Sequence, residues 1–268
     1  MNFLRYPGGK RKLLSFLANY LPDTYKIEGR YVEPFIGGGS VFFYLNPQNA
    51  LIADLNKELI ELYMGIKNYP KKVWGIFKSF PCGRNTYYQI RDEQLENKPL
   101  YYRAARTLYL NRTCFKGMWR HNPEGKFNVG YGGEARRQVL NYVNLTELSK
   151  KLKKATILKA DFEETLDTCS NGDFIFLDPP YKPGEKEMDH AHYINGKFSF
   201  DDQKRLAEKV KEVSETKKIK WLMTNSSHPS IQKLYKEFNI IKIPKGTSRV
   251  VGVFSDKSQE ILISKYAL

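Results

Sequence analysis

The sequence predicts an α/β fold, an open sheet of seven strand candidates interrupted once by a mainly helical insertion. Three observations carry this. The run Phe174-Ile175-Phe176-Leu177 is apolar without alternation, as a strand covered on both faces is, and Pro179 and Pro180 forbid its ladder from continuing. Residues 31–35 (YVEPF), 36–40 (IGGGS) and 41–45 read as strand, glycine turn and helix. Between residues 59 and 147 this rhythm disappears, and after them it resumes. The chain therefore divides into a discontinuous unit, 1–58 with 148–268, and an insertion, 59–147.

Taken in order, Tyr6-Pro7-Gly8-Gly9-Lys10 precedes an amphipathic helix whose apolar face is Leu13, Leu14, Leu17 and Leu21. It is not a Walker loop, since the first glycine of that pattern and the Ser/Thr after the lysine are both missing. The glycines at 37–39 permit positive φ and close backbone approach, as a nucleoside-type cofactor lying across a sheet edge requires. Residues 50–54 (ALIAD) are a second strand ending in Asp54, placed either to hold a ribose or cationic group or to cap the helix that begins near Asn56. The insertion reads as several helices, one over 99–112, followed by a glycine-rich hairpin over 117–133. Strands follow at 155–161, 174–178, 220–225, 239–243 and 260–266, with helices at 162–166, 201–214 and 230–237. The polar stretch 182–196 reads as a mobile loop near the substrate.

Composition narrows the partner. A formal net charge of +15 over 268 residues, with 14% aromatic residues, favours a polyanion, and nucleic acid over membrane. The N-terminus lacks the apolar core of a signal peptide and no apolar run approaches a membrane span, so a cytoplasmic protein is expected. Cys82, Cys114 and Cys169 show no metal-ligand spacing and are expected to be reduced and mostly buried. His190-x-His192 reads as loop, and no metal site is indicated. Basic and aromatic residues interleave in the insertion: Arg112, Phe115, Lys116, Trp119, Arg120, Lys126, Arg136 and Arg137 are the candidate nucleic-acid contacts. A solvated helical face with core aromatics would account for Arg103 and Arg106, but poorly for the loop cluster 116–120.

Asp178-Pro179-Pro180-Tyr181 stands at the carboxyl end of the central strand, where open α/β sheets bind ligands. It suits attack by an exocyclic amine conjugated to an aromatic ring. The Asp178 carboxylate and the Pro179 carbonyl can accept the two N–H protons and draw the nitrogen toward tetrahedral geometry, while Tyr181 stacks on the base. Such a base must first leave its duplex. The alternative is a stiff turn that merely closes a strand.

With these motifs placed, the chain resembles the Dam-like (D12 class) DNA adenine-N6 methyltransferases over essentially its whole length. The likeness rests on YPGGK, VEPFIGGGS, the acid of IADLN, LNRTCFKGMWRHNPEGKFNVGYG, Asp161-Phe162, DPPY and the TNSS stretch at 224–227. The resemblance implies a Rossmann-like methyltransferase sheet with an inserted target-recognition domain. It further implies S-adenosylmethionine held by Tyr6, Lys10, Glu33, Phe35, Gly37, Gly39, Asp54, Asp161, Phe162 and Asp178, and a flipped adenine of double-stranded DNA held by Asp178 and Tyr181. Members that recognise GATC generally carry Asn at the place of Lys116, Pro at that of Gly130 and Arg soon after the glycine at that of Gly133; Arg120 is retained. The implied reaction is methyl transfer to adenine N6, without metal or covalent intermediate. Cytosine-N4 methylation and a non-catalytic DNA-binding module that keeps the cofactor fold are the alternatives.

Overall fold

A computed structural model describes residues 4–6, 8–135, 137–180, 198–244, 246–247, 254–255 and 260–268. The chain begins with a 3-10 turn, Lys10–Leu13, and α1 (Leu14–Leu17). The helix is shorter than its apolar periodicity predicts. Single turns carry on to Leu21, where Pro22 disfavours the helical conformation of the residue before it. Leu13 and Leu17 are buried all the same.

Next come β1 (Tyr31–Glu33), α2 (Ser40–Leu45), β2 (Ala50–Asp54) and α3 (Lys57–Asn68). Before the next strand come α4 (Pro70–Ser79), α5 (Arg84–Arg91), α6 (Leu100–Thr113), a loop pinned by the bridges Cys114↔Tyr131 and His121↔Phe127, and α7 (Tyr142–Leu152). After it follow β3 (Ala155–Lys159), α8 (Phe162–Asp167), β4 (Phe174–Leu177), α9 (Phe200–Thr216), β5 (Lys220–Ser226), α10 (Pro229–Leu234) and β6 (Asn239–Lys242). Two short strands, β7 (Gly246–Thr247) and β8 (Phe254–Ser255), pair with each other, and β9 (Glu260–Ser264) closes the chain.

Among the described residues the main sheet has seven strands in the order β3-β2-β1-β4-β5-β9-β6. The first five run parallel, and β9 lies antiparallel between β5 and β6. Strand order reverses between β1 and β4, so the connections leave on opposite sides there and open a crevice at the carboxyl ends.

Successive residues of a strand point to opposite faces, and both faces are covered. Tyr31, Ile52, Phe174 and Phe176 join one core with helices α3 to α7, while Val32, Leu51, Ile175, Leu177 and Trp221 join a second with α8, α9 and α10. This is why the strands read as continuous apolar runs. Helices α3 to α7 and the sheet share the first core. Cys114 and Cys169 are buried and Cys82 is exposed. Among the described residues no helix is long and apolar enough to cross a membrane.

Candidate active site

Four neighbouring strands, β2, β1, β4 and β5, deliver polar side chains to one edge. Asp54 ends β2, Glu33 ends β1, Asp178 follows β4 and Thr224 lies near the end of β5. The glycine turn after β1 rises beside them. Gly37 (φ 45°) and Gly39 (φ 65°) are left-handed, which a side chain resists, and a Cβ on Gly37 would approach the Tyr6 ring to 3.2 Å.

Asp54 holds this turn. Its carboxylate accepts from the Gly37 N–H and from the Asn56 N–H, each at 3.0 Å, while Asn56 caps α3. Of the two roles open to Asp54, the capping one thus belongs to Asn56. Glu33 is buried and accepts from the Tyr31 hydroxyl at 2.7 Å. Burial pushes its carboxyl well above the ordinary range, and the nearby Asp178 and Asp54 carboxylates add to the shift. Burial, with the Asp54 charge, likewise raises the Tyr6 hydroxyl.

Asp178 Oδ1 accepts from Thr224 Oγ1 at 2.7 Å and meets Lys10 Nζ at 2.9 Å. Lys10 also donates to the Gly8 carbonyl. The first glycine turn is thereby tied to the central strand. One layer away, the Phe35 and Phe162 rings stack with centroids 5.6 Å apart, and Phe198 closes on both edge-on. Asp161 caps α8 through the Glu163 N–H and faces Arg205, whose guanidinium lies over the Phe162 ring.

The structure therefore places Tyr6, Lys10, Glu33, Phe35, Gly37, Gly39, Asp54, Asp161, Phe162, Asp178 and Pro179 along the carboxyl edge of the sheet. Tyr181, Arg136, and the stretch 182–196 with His190 and His192 lie outside the described residues.

The DNA candidates divide. Phe115, Lys116, Arg120 and Lys126 are exposed on the loop after α6. Arg120 is steadied across that loop by Asn128, with Nε donating to the side-chain oxygen at 2.8 Å and a terminal nitrogen to the carbonyl at 3.2 Å. Arg112 and Trp119 are instead buried, and Trp119 packs against the Tyr6 ring at 5.3 Å.

Arg137 is a correction. Rather than facing phosphate, it turns inward, donates to the carbonyls of Phe77 (2.7 Å) and Phe80 (2.5 Å), and pairs with Glu134. The C-terminal carbonyls of α4 need donors, and a guanidinium supplies several at once. Arg103 and Arg106 are also held internally, by Glu61 and by the Ile90 carbonyl.

The sequence reading gave no role to Thr224, Asn225 or Gln203. The available signal was polar residues in a strand and a helix face that otherwise read as apolar.

The comparisons with known proteins agree with this geometry. A family model for D12 class N6 adenine-specific DNA methyltransferases matches residues 6–248. The chain is 33% identical to a type II methyltransferase of Lactococcus lactis subsp. cremoris, M1.LlaDCHI, over 98% of this chain and 95% of that protein. It is 33% identical to the type II methyltransferase M.MjaIII of Methanocaldococcus jannaschii, over 98% of each. It is also 29% identical to a DNA adenine methylase of Vibrio cholerae serotype O1, over 97% of this chain and 94% of that one. A mostly parallel sheet whose strand order reverses between β1 and β4 is consistent with that match: the chain belongs to the D12 class of N6 adenine-specific DNA methyltransferases.

Proposed function

We propose that the chain methylates adenine N6 at a specific site in duplex DNA, with S-adenosylmethionine as methyl donor and the target base turned out of the helix. The observation that carries this reading is the Asp178 carboxylate, fixed by Thr224 and Lys10 at the strand end beside the glycine turn. When bound, S-adenosylmethionine supplies an electrophilic methyl group on a sulfonium that also bears a charged amino acid and an adenosine.

The residues present fit such a donor. Gly37 and Gly39 keep a left-handed turn that side chains would crowd against Tyr6 and Phe43, Glu33 and Asp54 offer oxygens to its amino and hydroxyl groups, and Phe35 with Phe162 offers an apolar aromatic wall. Asp178 and the Pro179 carbonyl accept the two N–H groups of the target amine and aim its lone pair. Tyr181 follows directly in sequence and has the ring to stack on the base. The segment 59–147 carries the DNA-reading surface, with Phe115, Lys116, Arg120 and Lys126 as its exposed contacts. Expression in cells that lack DNA methylation, followed by long-read sequencing for modified bases, tests the reading. Methylated adenine at one recurring sequence supports it, and unmodified DNA refutes it.

A further inference from the structure

Gln203 interrupts the apolar stripe of α9. It shares a face with Leu206, Val210 and Val213, yet it is an amide and fully buried. An amide in such a place costs free energy unless both ends are hydrogen-bonded. Both are: its Nε2 donates to the Pro180 carbonyl at 2.7 Å, and its Oε1 accepts from Asn225 Nδ2 at 3.0 Å.

The orientation of this relay is dictated by backbone at each end. The Pro180 carbonyl can only accept, so Gln203 must present its NH2 there and its oxygen to Asn225. At the other end the Ser226 N–H donates to Asn225 Oδ1 at 2.7 Å, which leaves the Asn225 NH2 facing Gln203. Thr224 and Asn225 are consecutive on β5. One grips the Asp178 side chain directly, and the other grips Pro180 through Gln203. Proline fixes φ, so a bond to the Pro180 carbonyl constrains the torsion that remains soft. The Pro179 carbonyl lies between the two anchored residues.

We propose that Gln203, oriented by Asn225, is a positioning residue that holds the Asp178-Pro179-Pro180 turn with its two acceptors aimed at the target amine. The inference rests on the adenine-N6 reading above. The apolar contacts of α9 come from Leu206, Ala207, Val210 and Val213.

The test is single-turnover methylation of adenine in unmodified DNA across a pH series, with labelled S-adenosylmethionine, for the wild type, Gln203→Glu and Gln203→Met. Affinity for the methyl donor and thermal unfolding are measured beside it. Gln203→Met cannot donate, and its rate constant should fall between about 10-fold and 100-fold at every pH, the scale of a small misplacement of reacting groups. Gln203→Glu can donate to Pro180 only while its carboxyl is protonated, so its deficit against the wild type should shrink as pH falls. Donor affinity should stay within about twofold in both. A Gln203→Met enzyme at the wild-type rate, or a Gln203→Glu deficit that is the same at every pH, would overturn the proposal. Should either variant fail to fold, Asn225→Ala takes its place: it leaves the buried Gln203 oxygen without its donor and slackens the hold on Pro180, and an unchanged rate in that variant is equally contrary. A wild type that methylates no adenine would instead sink the underlying reading, so the two failures are distinguishable.

Discussion

Lys10 Nζ stands 2.9 Å from Asp178 Oδ1, so a cation from the chain's first turn, only 3% exposed, pairs with the acid that ends the central strand. Asp178→Ala therefore removes two things, an acceptor for the target amine and the partner of a buried charge. Asp178→Asn keeps an oxygen for Thr224 and Lys10 and removes only the charge. Both variants should lose methyl transfer by on the order of 10²-fold or more while still binding the methyl donor. Both should also lose stability, Asp178→Ala by about 3 kcal/mol and Asp178→Asn by less, because each takes the anion from the buried Lys10 cation but the amide still offers it an oxygen. Single-turnover rates and denaturant unfolding of the two variants separate these effects, and near-normal turnover in Asp178→Asn would contradict the role of the carboxylate.

In the proposed function, Asp54 acts on the methyl donor through the turn it holds. Asp54→Ala frees the Gly37 N–H from its acceptor at 3.0 Å, and Gly37→Val forces a β-branched side chain into a left-handed position against Tyr6. Each should weaken donor binding by at least about tenfold, as the loss of a charge-assisted hydrogen bond does. Calorimetry with S-adenosylmethionine checks this, and unchanged affinity in both would remove the donor from this edge of the sheet.

Glu33 makes stability depend on pH. Because burial raises its folded-state value, the native protein holds a proton that the unfolded chain releases above about pH 4.3. Its contribution is fully present below that point and is lost as pH rises toward the raised value, at up to about 1.4 kcal/mol per pH unit. Glu33→Gln, which still offers an oxygen to Tyr31, should gain on the wild type as pH rises from 4 toward 8. Denaturant titrations at several pH values test the sign. A difference that stays flat would show that Glu33 is already ionised.

Arg120 and Arg137 should behave oppositely. Arg120 is exposed and pre-oriented by Asn128, and its guanidinium suits the O6 and N7 of guanine in a major groove. Arg120→Ala should cost about 1–3 kcal/mol on the preferred site and relax one guanine position when methylation is profiled over a randomised DNA library. A uniform drop with no position relaxed would mean that Arg120 touches phosphate only. Arg137→Ala should leave the salt dependence of DNA binding unchanged and lower folding stability by about 3 kcal/mol, since carbonyls at the end of α4 lose a charged donor.

The strands and the crevice were legible in the sequence because sheet strands buried on two faces are apolar throughout and the reactive residues follow them directly. Residues 174–177 announce β4, and Asp178 needs only the end of that strand to be placed. The partners of Asp178 were not legible. Lys10 lies far away in sequence, and Thr224 meets Asp178 only through the pairing of β4 with β5. Surface charge misled at Arg137 for the same reason, since its acceptors are carbonyls some 60 positions earlier, and a carbonyl leaves no mark in a sequence. The shortened first helix was legible in principle, as Pro22 stands at its end.

In the proposed function Asp178 and its rigid turn direct the methyl transfer to adenine N6 and not to another amine. It is tested most directly by incubating the protein and its Asp178→Asn variant with duplex DNA and labelled S-adenosylmethionine, digesting the DNA to nucleosides, and identifying the methylated species by mass spectrometry. N6-methyladenine from the wild type and at most a trace from the variant is the expected result. N4-methylcytosine as the labelled product, or equal yields of N6-methyladenine from both proteins, would contradict it.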